Sequence, residues 1–551
     1  MICILHGYLL DGSGSTLWTR SVIQSLCRDG ETIHLICQEN HPDRFDFIGE
    51  AYRYHAGGRV ETIFRREAPY AGRCVMHKPE IGDTLPVYVW DHYEEFSNVV
   101  PMIELPDEAI NHYLDRNTEV VMQVAQDHDI TVMHANHAVL MSVVAERVSR
   151  ARSIPFAIMP HGSAIEYAVK KDKRFLRLAG EAFQAAARIF VVGREMRERA
   201  NTVFASVANI DAKMSELKLG VDTSLFEPVQ TKDRHKNIAG LVESISGVPR
   251  GKTPEMSHSM LARLNGDLTL EGARAAIEPA ANYTGKQPDS DLESKLAAVD
   301  WQREKILLFV GRIITSKGLQ SIIAALPLIL DRHSNSRLVV VGHGPLREAL
   351  EAWIWALGRG ERRLAEKIVE WGSALEGFEP KELTEVRRFY DALSASGDLD
   401  EYFRKAEHHM RSDRVIFTGY LTHRELRYLF PCCDLAIFPS VVAEAGPLVF
   451  LEALASGCFP LGTYFAGMAA SIDSVAENLP EADAELMKLS ADSSLTVSDI
   501  AAKVPAVLSL GDKHKMRLRE VAIQSYDWKN VARTLRAQLQ SLAERPGHSP
   551  A

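Results

Sequence analysis

No run of about 18 apolar residues occurs in the 551-residue chain, so its sequence offers no membrane-spanning helix. Cysteine is sparse. The seven residues, Cys3, Cys27, Cys37, Cys74, Cys432, Cys433 and Cys458, are odd in number, lie mostly in apolar surroundings and lack Cys-x-x-Cys spacing. That pattern suggests neither a disulfide framework nor a zinc site, and buried reduced thiols are expected. A basic excess is missing too: the net charge is -10, which argues against a surface that tracks nucleic-acid phosphates. The opening Met1-Ile2-Cys3-Ile4-Leu5-His6 shows no basic leader and no small-residue cleavage site. A cytoplasmic protein without a nucleic-acid partner is expected, with peripheral membrane contact and oligomeric state left open.

What is present is a long, balanced globular sequence, 46% hydrophobic and 25% charged, too long for one ordinary core. Apolar runs at 2–5, 33–37, 130–133, 156–159 and 189–192 alternate with helical patterns, and a second series follows at 306–310, 338–341, 415–417, 435–438 and 459–461. Such alternation predicts an α/β chain with two parallel sheets wound by helices. The expected first domain is 1–228, completed by a helix at about 528–544; the second is 301–527. Between them, 229–300 is polar and rich in Gly, Pro and Ser, which reads as an insertion or linker, and 351–411 reads as exposed amphipathic helices inserted into the second domain.

Pro439 to Gly457 sets Glu444 and Glu452 around a helix start, with Gly446-Pro447 at the turn and Leu448, Leu451 and Leu454 on one helical face. Paired carboxylates fit glycoside hydrolysis as well as sugar binding. Cations elsewhere tilt the balance. Gly311-Arg312 ends one strand and Lys317-Gly318 precedes the next helix; fixed cations there could stabilise charge developing on a departing diphosphate, although two solvated residues beside a helix start is an even alternative. The turn Gly342-His343-Gly344-Pro345 falls at a strand's carboxyl end, where ligands of open α/β sheets gather, but is weak evidence alone. In the first half, Gly12-Ser13-Gly14-Ser15 precedes a helical pattern, His134, Asn136 and His137 follow one expected strand, and His161-Gly162 follows another. Each histidine is more often structural than catalytic. His161 is the better candidate because Gly162 permits close approach, and neither these histidines nor the cysteines have zinc spacing.

In this order the motifs resemble the family 4 retaining glycosyltransferases of the GT-B fold, over most of the chain apart from the two insertions. The resemblance implies two Rossmann-like domains facing across a cleft. It implies a nucleotide-diphosphate sugar as donor substrate, a hydroxyl acceptor, and no cofactor or metal. Gly12, Gly14, His134 and His137 would serve the acceptor; His161, Arg312, Lys317 and Glu444 would be catalytic. Gly311, Gly342, Gly446, Leu448 and Glu452 would bind the donor, Glu452 through the ribose. Gly220-Val221-Asp222 with Phe226 and Pro228 is similar to the family's segment closing the first domain, Gly419 to its glycine before the helix of Glu425, and Trp528 to the start of its final helix. The chain departs from the family at Gly446-Pro447, where Phe-Gly is common, and at Ala466-Gly467-Met468-Ala469-Ala470, where Gly-Gly-x-x-Glu is common. A hexosyl transfer from a UDP-glucose or GDP-mannose type donor is expected. A phosphorylase on the same fold and a catalytically idle binding protein are the alternatives.

Overall fold

The computed structural model describes residues 1–10, 14–88, 96–265, 267–411, 413–442, 446 and 448–544. The chain divides into two compact units, Met1–Gly220 with Ser525–Ala551, and Val221–Gln524.

The first unit supplies β1 (Ile2–Leu5), β2 (Thr32–Ile36), β3 (Ile48–Tyr54), β4 (Val60–Arg65), β5 (Arg73–Pro79), β6 (Thr84–Val87), β7 (Asn98–Pro101), β8 (Val132–Asn136), β9 (Phe156–Met159), β10 (Arg188–Val191) and β11 (Met214–Glu216). Nine of them form one sheet in the order β11-β10-β9-β8-β1-β2-β5-β3-β4, while β6 and β7 pair separately. Only β3 and β4 run antiparallel. Every residue of β1, β8 and β9 is buried, as expected of strands covered on both faces. The helix Trp528–Ala543 adds Trp528, Val531, Leu535 and Leu539 to a core shared with Trp18, Val22 and Leu26 of helix Gly14–Arg28. The end of the chain thereby completes the first unit.

The second unit holds β12 (Lys305–Val310), β13 (Ser336–Val341), β14 (Val415–Phe417), β15 (Leu435–Phe438), β16 (Phe459–Thr463) and β17 (Lys488–Leu489). They form a parallel sheet in the order β14-β13-β12-β15-β16-β17. The edge strands β4 and β17, β3 between β4 and β5, and the polar β5 (Arg73, His77, Lys78) lack the apolar run that marks strands such as β1 and β12.

Of the strands whose bounds differ from the sequence expectation, β8 is the one with consequences for the site. The run 130–133 predicts a strand ending before His134, but β8 spans Val132–Asn136, so His134 and Asn136 belong to the sheet and not to a loop after it.

The stretch 229–300, expected as an insertion or linker, packs within the second unit through helices Arg234–Ser244, Pro254–Leu261, Leu270–Ile277 and Leu292–Ala297. Ions hold it there. Arg234 donates both terminal nitrogens to Asp434, each at 3.2 Å. Lys252, 1% exposed, donates to Glu348 at 2.8 Å and Glu351 at 2.7 Å, and Arg347 grips Asp289 at 2.8 and 2.6 Å. Burial pushes the Glu348 carboxyl up; Arg347 and Lys252 draw Glu351 down to about 2 against its own burial. Within 351–411, helices Thr384–Ser396 and Leu399–His409 bury Phe389, Tyr390, Tyr402 and Phe403, and the Tyr402 hydroxyl donates to the Ala324 carbonyl at 3.0 Å. The apolar stripes legible in that segment are therefore packing faces.

Candidate functional site

In the second unit, backbone bonds knit the loops at the carboxyl ends of β12, β13, β14 and β15 together. The Gly311 amide donates to Val341 at 3.0 Å, Gly342 to Gly419 at 2.9 Å and Ile313 to His343 at 2.9 Å. A Cβ on Gly342, whose φ is 141°, would lie 1.9 Å from the Gly311 carbonyl oxygen. Glycine at 342 is thus demanded by loop packing, whatever else touches it. The turn Thr315–Lys317 ends at Gly318, where a Cβ would meet the Pro439 carbonyl oxygen at 1.9 Å. The Val441 amide and the Ser440 hydroxyl both donate to the Ser316 carbonyl, at 2.9 and 3.1 Å. The segment bearing Arg312 and Lys317 is therefore fixed to the loop that enters the Glu444 region. Arg312 is exposed and Lys317 half-buried.

Glu444 and Pro447 lie outside the described residues, as does Gly12. Gly446 and Leu448 are half-buried, and Leu448 opens helix Leu448–Ala455. Glu452 on that helix is 3% exposed. Its Oε1 meets His423 Nδ1 at 2.5 Å, whereas Oε2 has no hydrogen-bond partner among the described residues. A buried carboxylate oxygen left without a donor costs on the order of 1–3 kcal/mol, so this oxygen is an acceptor suited to a hydroxyl. His423 was not singled out by sequence reasoning. Its signal is the capping box Thr422-x-x-Glu425, in which the Thr422 amide donates to the Glu425 carboxylate at 2.8 Å and the Thr422 side chain accepts from the Glu425 amide. That box starts the helix at His423 and makes Glu425 a helix cap. A second unforeseen group is Glu376, from the 351–411 segment, which accepts from the Thr315 amide at 2.9 Å and from the Thr315 hydroxyl.

In the first unit, His161, Asn136, Thr19 and His6 form one hydrogen-bonded set at the carboxyl ends of β1, β8 and β9. His6 Nε2 donates to the Leu9 carbonyl at 3.1 Å, which leaves Nδ1 as an acceptor. The Thr19 hydroxyl donates to Ser15 at 2.8 Å and accepts from Asn136 Nδ2 at 2.8 Å. Asn136 Oδ1 then accepts from His161 Nε2 at 3.3 Å, so His161 Nδ1 carries the lone pair. Burial pushes His161 down to about 3 and His6 to about 4, and both imidazoles are neutral at neutral pH. His137 lies with its ring tilted against those of His161 and Tyr88, with centroids 4.8 Å away in each case. It is 2% exposed, has a φ of 72°, and neither ring nitrogen has a partner among the described residues. His134, expected at the acceptor beside His137, is instead a core residue. Because β8 extends to Asn136, His134 points into the core, fully buried between Trp18 and Phe190 with centroids at 5.5 and 5.7 Å. Gly14 begins its helix with nothing within 4 Å of the place a Cβ would take.

The family match falls in the second unit, whereas the structural likenesses extend over nearly the whole chain. Residues 294–363 and 395–520 match the family model described as glycosyl transferases group 1. An uncharacterized glycosyltransferase of Methanocaldococcus jannaschii is 29% identical over 154 residues, 28% of this chain and 26% of that protein; the chain spans about a quarter of its length. Among solved structures, sucrose-phosphate synthase from Thermosynechococcus elongatus superposes with a TM-score of 0.52 at 15% identity, covering 98% of both chains. The catalytic domain of starch synthase IV from Arabidopsis thaliana, bound to ADP and acarbose, gives 0.52 at 11% identity, covering 99% of both. Anabaena HepE in complex with UDP gives 0.50 at 14%, covering 98% of this chain and 99% of that one. These likenesses show the fold, two Rossmann-like α/β units of the GT-B kind. The family match spans the loops bearing Arg312, Lys317, His423 and Glu452 and leaves out 364–394, the stretch that supplies Glu376.

Proposed function

We propose that the protein is a retaining glycosyltransferase that moves a hexosyl group from a nucleotide-diphosphate sugar to a hydroxyl acceptor. The observation that carries this reading is Glu452: a buried carboxylate with Oε1 on His423 and Oε2 unpartnered among the described residues, inside the stretch that matches the glycosyl transferases. Ribose hydroxyls are the donors such an oxygen needs. Arg312 and Lys317, on a turn fixed to the neighbouring loop by the Ser316 carbonyl, would neutralise the diphosphate as the bond to the sugar breaks. Gly311, Gly342, Gly446 and Leu448 would line the donor.

In the proposed reaction the acceptor oxygen bonds to the anomeric carbon on the face the leaving group departs from, and the bond from that carbon to the phosphate oxygen breaks. The acceptor proton passes to the departing phosphate. Glu444 would contact the sugar near the reacting carbon. His161, neutral with a free lone pair at Nδ1, would accept a hydrogen bond from a sugar hydroxyl, with His137 and Gly14 on the acceptor side. No metal or cofactor has a part in this scheme. UDP-glucose is the preferred donor and GDP-mannose the runner-up.

The test is a screen of nucleotide sugars for release of the nucleoside diphosphate, with and without hydroxyl acceptors, followed by NMR of the product's anomeric proton. One nucleotide sugar should be consumed with its configuration retained. Sugar phosphate formed only with inorganic phosphate would instead support a phosphorylase. No turnover, with Glu444→Ala indistinguishable from the unaltered chain, would support an idle binding protein.

A further inference from the structure

A separate cluster lies in the first unit, away from the His6–His161 set. His34 on β2 and His77 on β5 are 2% and 0% exposed, and His128 closes helix Asp107–Asp127 and is half-buried. One ring nitrogen from each lies within 4.8 Å of the others. His34 Nδ1 and His77 Nε2 are 2.9 Å apart, and the His34 and His128 rings lie 4.4 Å apart between centroids. Tyr54 faces the far nitrogen of His77: its oxygen lies 2.8 Å from Nδ1.

We infer that His34, His77 and His128 form a binding site for a divalent transition-metal ion of the zinc type. Three imidazoles meeting from a strand, a second strand and a helix end are a donor set of the right softness. Ligands of tetrahedral zinc at about 2.0–2.1 Å have nitrogens roughly 3.3–3.4 Å apart, so the widest gap need close by no more than about 1.5 Å. His128, the least buried of the three, is placed to make that movement and to admit the ion. If Tyr54 accepts from His77 Nδ1–H, the Nε2 lone pair is directed toward His34 Nδ1. An outer hydrogen bond of this kind fixes the tautomer of a metal-binding histidine. The chemistry proposed for the second unit makes no use of this cluster, which would tie β2 and β5 to the helix covering them.

The test is zinc binding by the full chain. After exhaustive dialysis against a weak chelator, the protein should retain one equivalent of zinc by elemental analysis, and added Co2+ should give the visible absorption of a four-coordinate site. His128→Ala, a partly exposed position, should keep the circular dichroism of the unaltered chain while weakening zinc binding at least about tenfold. Zinc should raise the melting temperature of the unaltered chain and not of this variant. His34→Gln provides a second, buried ligand deletion with the same expected loss of the cobalt band. Zinc binding that is absent, or equally tight in the unaltered chain and in His128→Ala, would overturn the inference.

Discussion

A methyl group added at Gly318 would lie 1.9 Å from the Pro439 carbonyl oxygen, at a φ of 76° that side chains rarely adopt. Gly318→Ala should cost at least about 2 kcal/mol in urea unfolding, whereas Gly14→Ala, in open space at a helix start, should be neutral or stabilise by up to about 1 kcal/mol. Ala466 is the reverse case. The family resemblance puts glycine here, the chain has alanine, and the backbone keeps a φ of 51°. Ala466→Gly should therefore relieve roughly 1 kcal/mol of strain, and the same unfolding experiment reads it. The buried histidines add a pH dependence. Burial lowers His6 and His134 from near 6.5 to about 4, so between those values the unfolded chain binds more protons than the folded one. The stability they contribute is present above about pH 6.5 and is lost as the pH falls toward 4, by about 1.4 kcal/mol per pH unit for each histidine. Denaturant midpoints from pH 7 to pH 5 check both the sign and the slope.

At the scale of the element, apolar runs and turn residues marked the buried strands β1, β9 and β15 inside the sheets, and the buried edge strand β14, with the bounds the structure has. They missed β3 to β7, β11 and β17, where shortness, proline or polar residues remove the run. They also stopped β8 short, since His134 and Asn136 look like loop residues until a neighbouring strand covers them. Of the site, Arg312, Lys317 and Glu452 were legible because a strand end or helix start sits beside each in sequence. His423 and Glu376 were not: a contact between distant segments has no local signature. The same holds for His34, His77 and His128, which share no motif spacing. For 229–300, read as an insertion or linker, composition gave no sign that Arg234, Lys252 and Asp289 join a buried ionic network with Asp434, Arg347, Glu348 and Glu351. Lys252→Ala would leave Glu348 and Glu351 without their shared cation, and it should cost about 3–5 kcal/mol, measurable by thermal and denaturant unfolding.

At the scale of the whole molecule, two Rossmann-like units account for nearly all of the chain's regular structure, and the final helix returns to the first. Among the described residues no helix is long and apolar enough to cross a membrane. The functional reading rests on the second unit, where the family match, the interlocked loops and the half-satisfied Glu452 coincide. Its most direct measurement is calorimetric titration of the full chain with UDP, GDP and ADP. One of these should bind, more weakly in Arg312→Ala through loss of the diphosphate contact, and about tenfold or more weakly in Glu452→Ala through loss of the hydroxyl acceptor. No detectable binding of any nucleoside diphosphate, or binding that neither substitution alters, would contradict it.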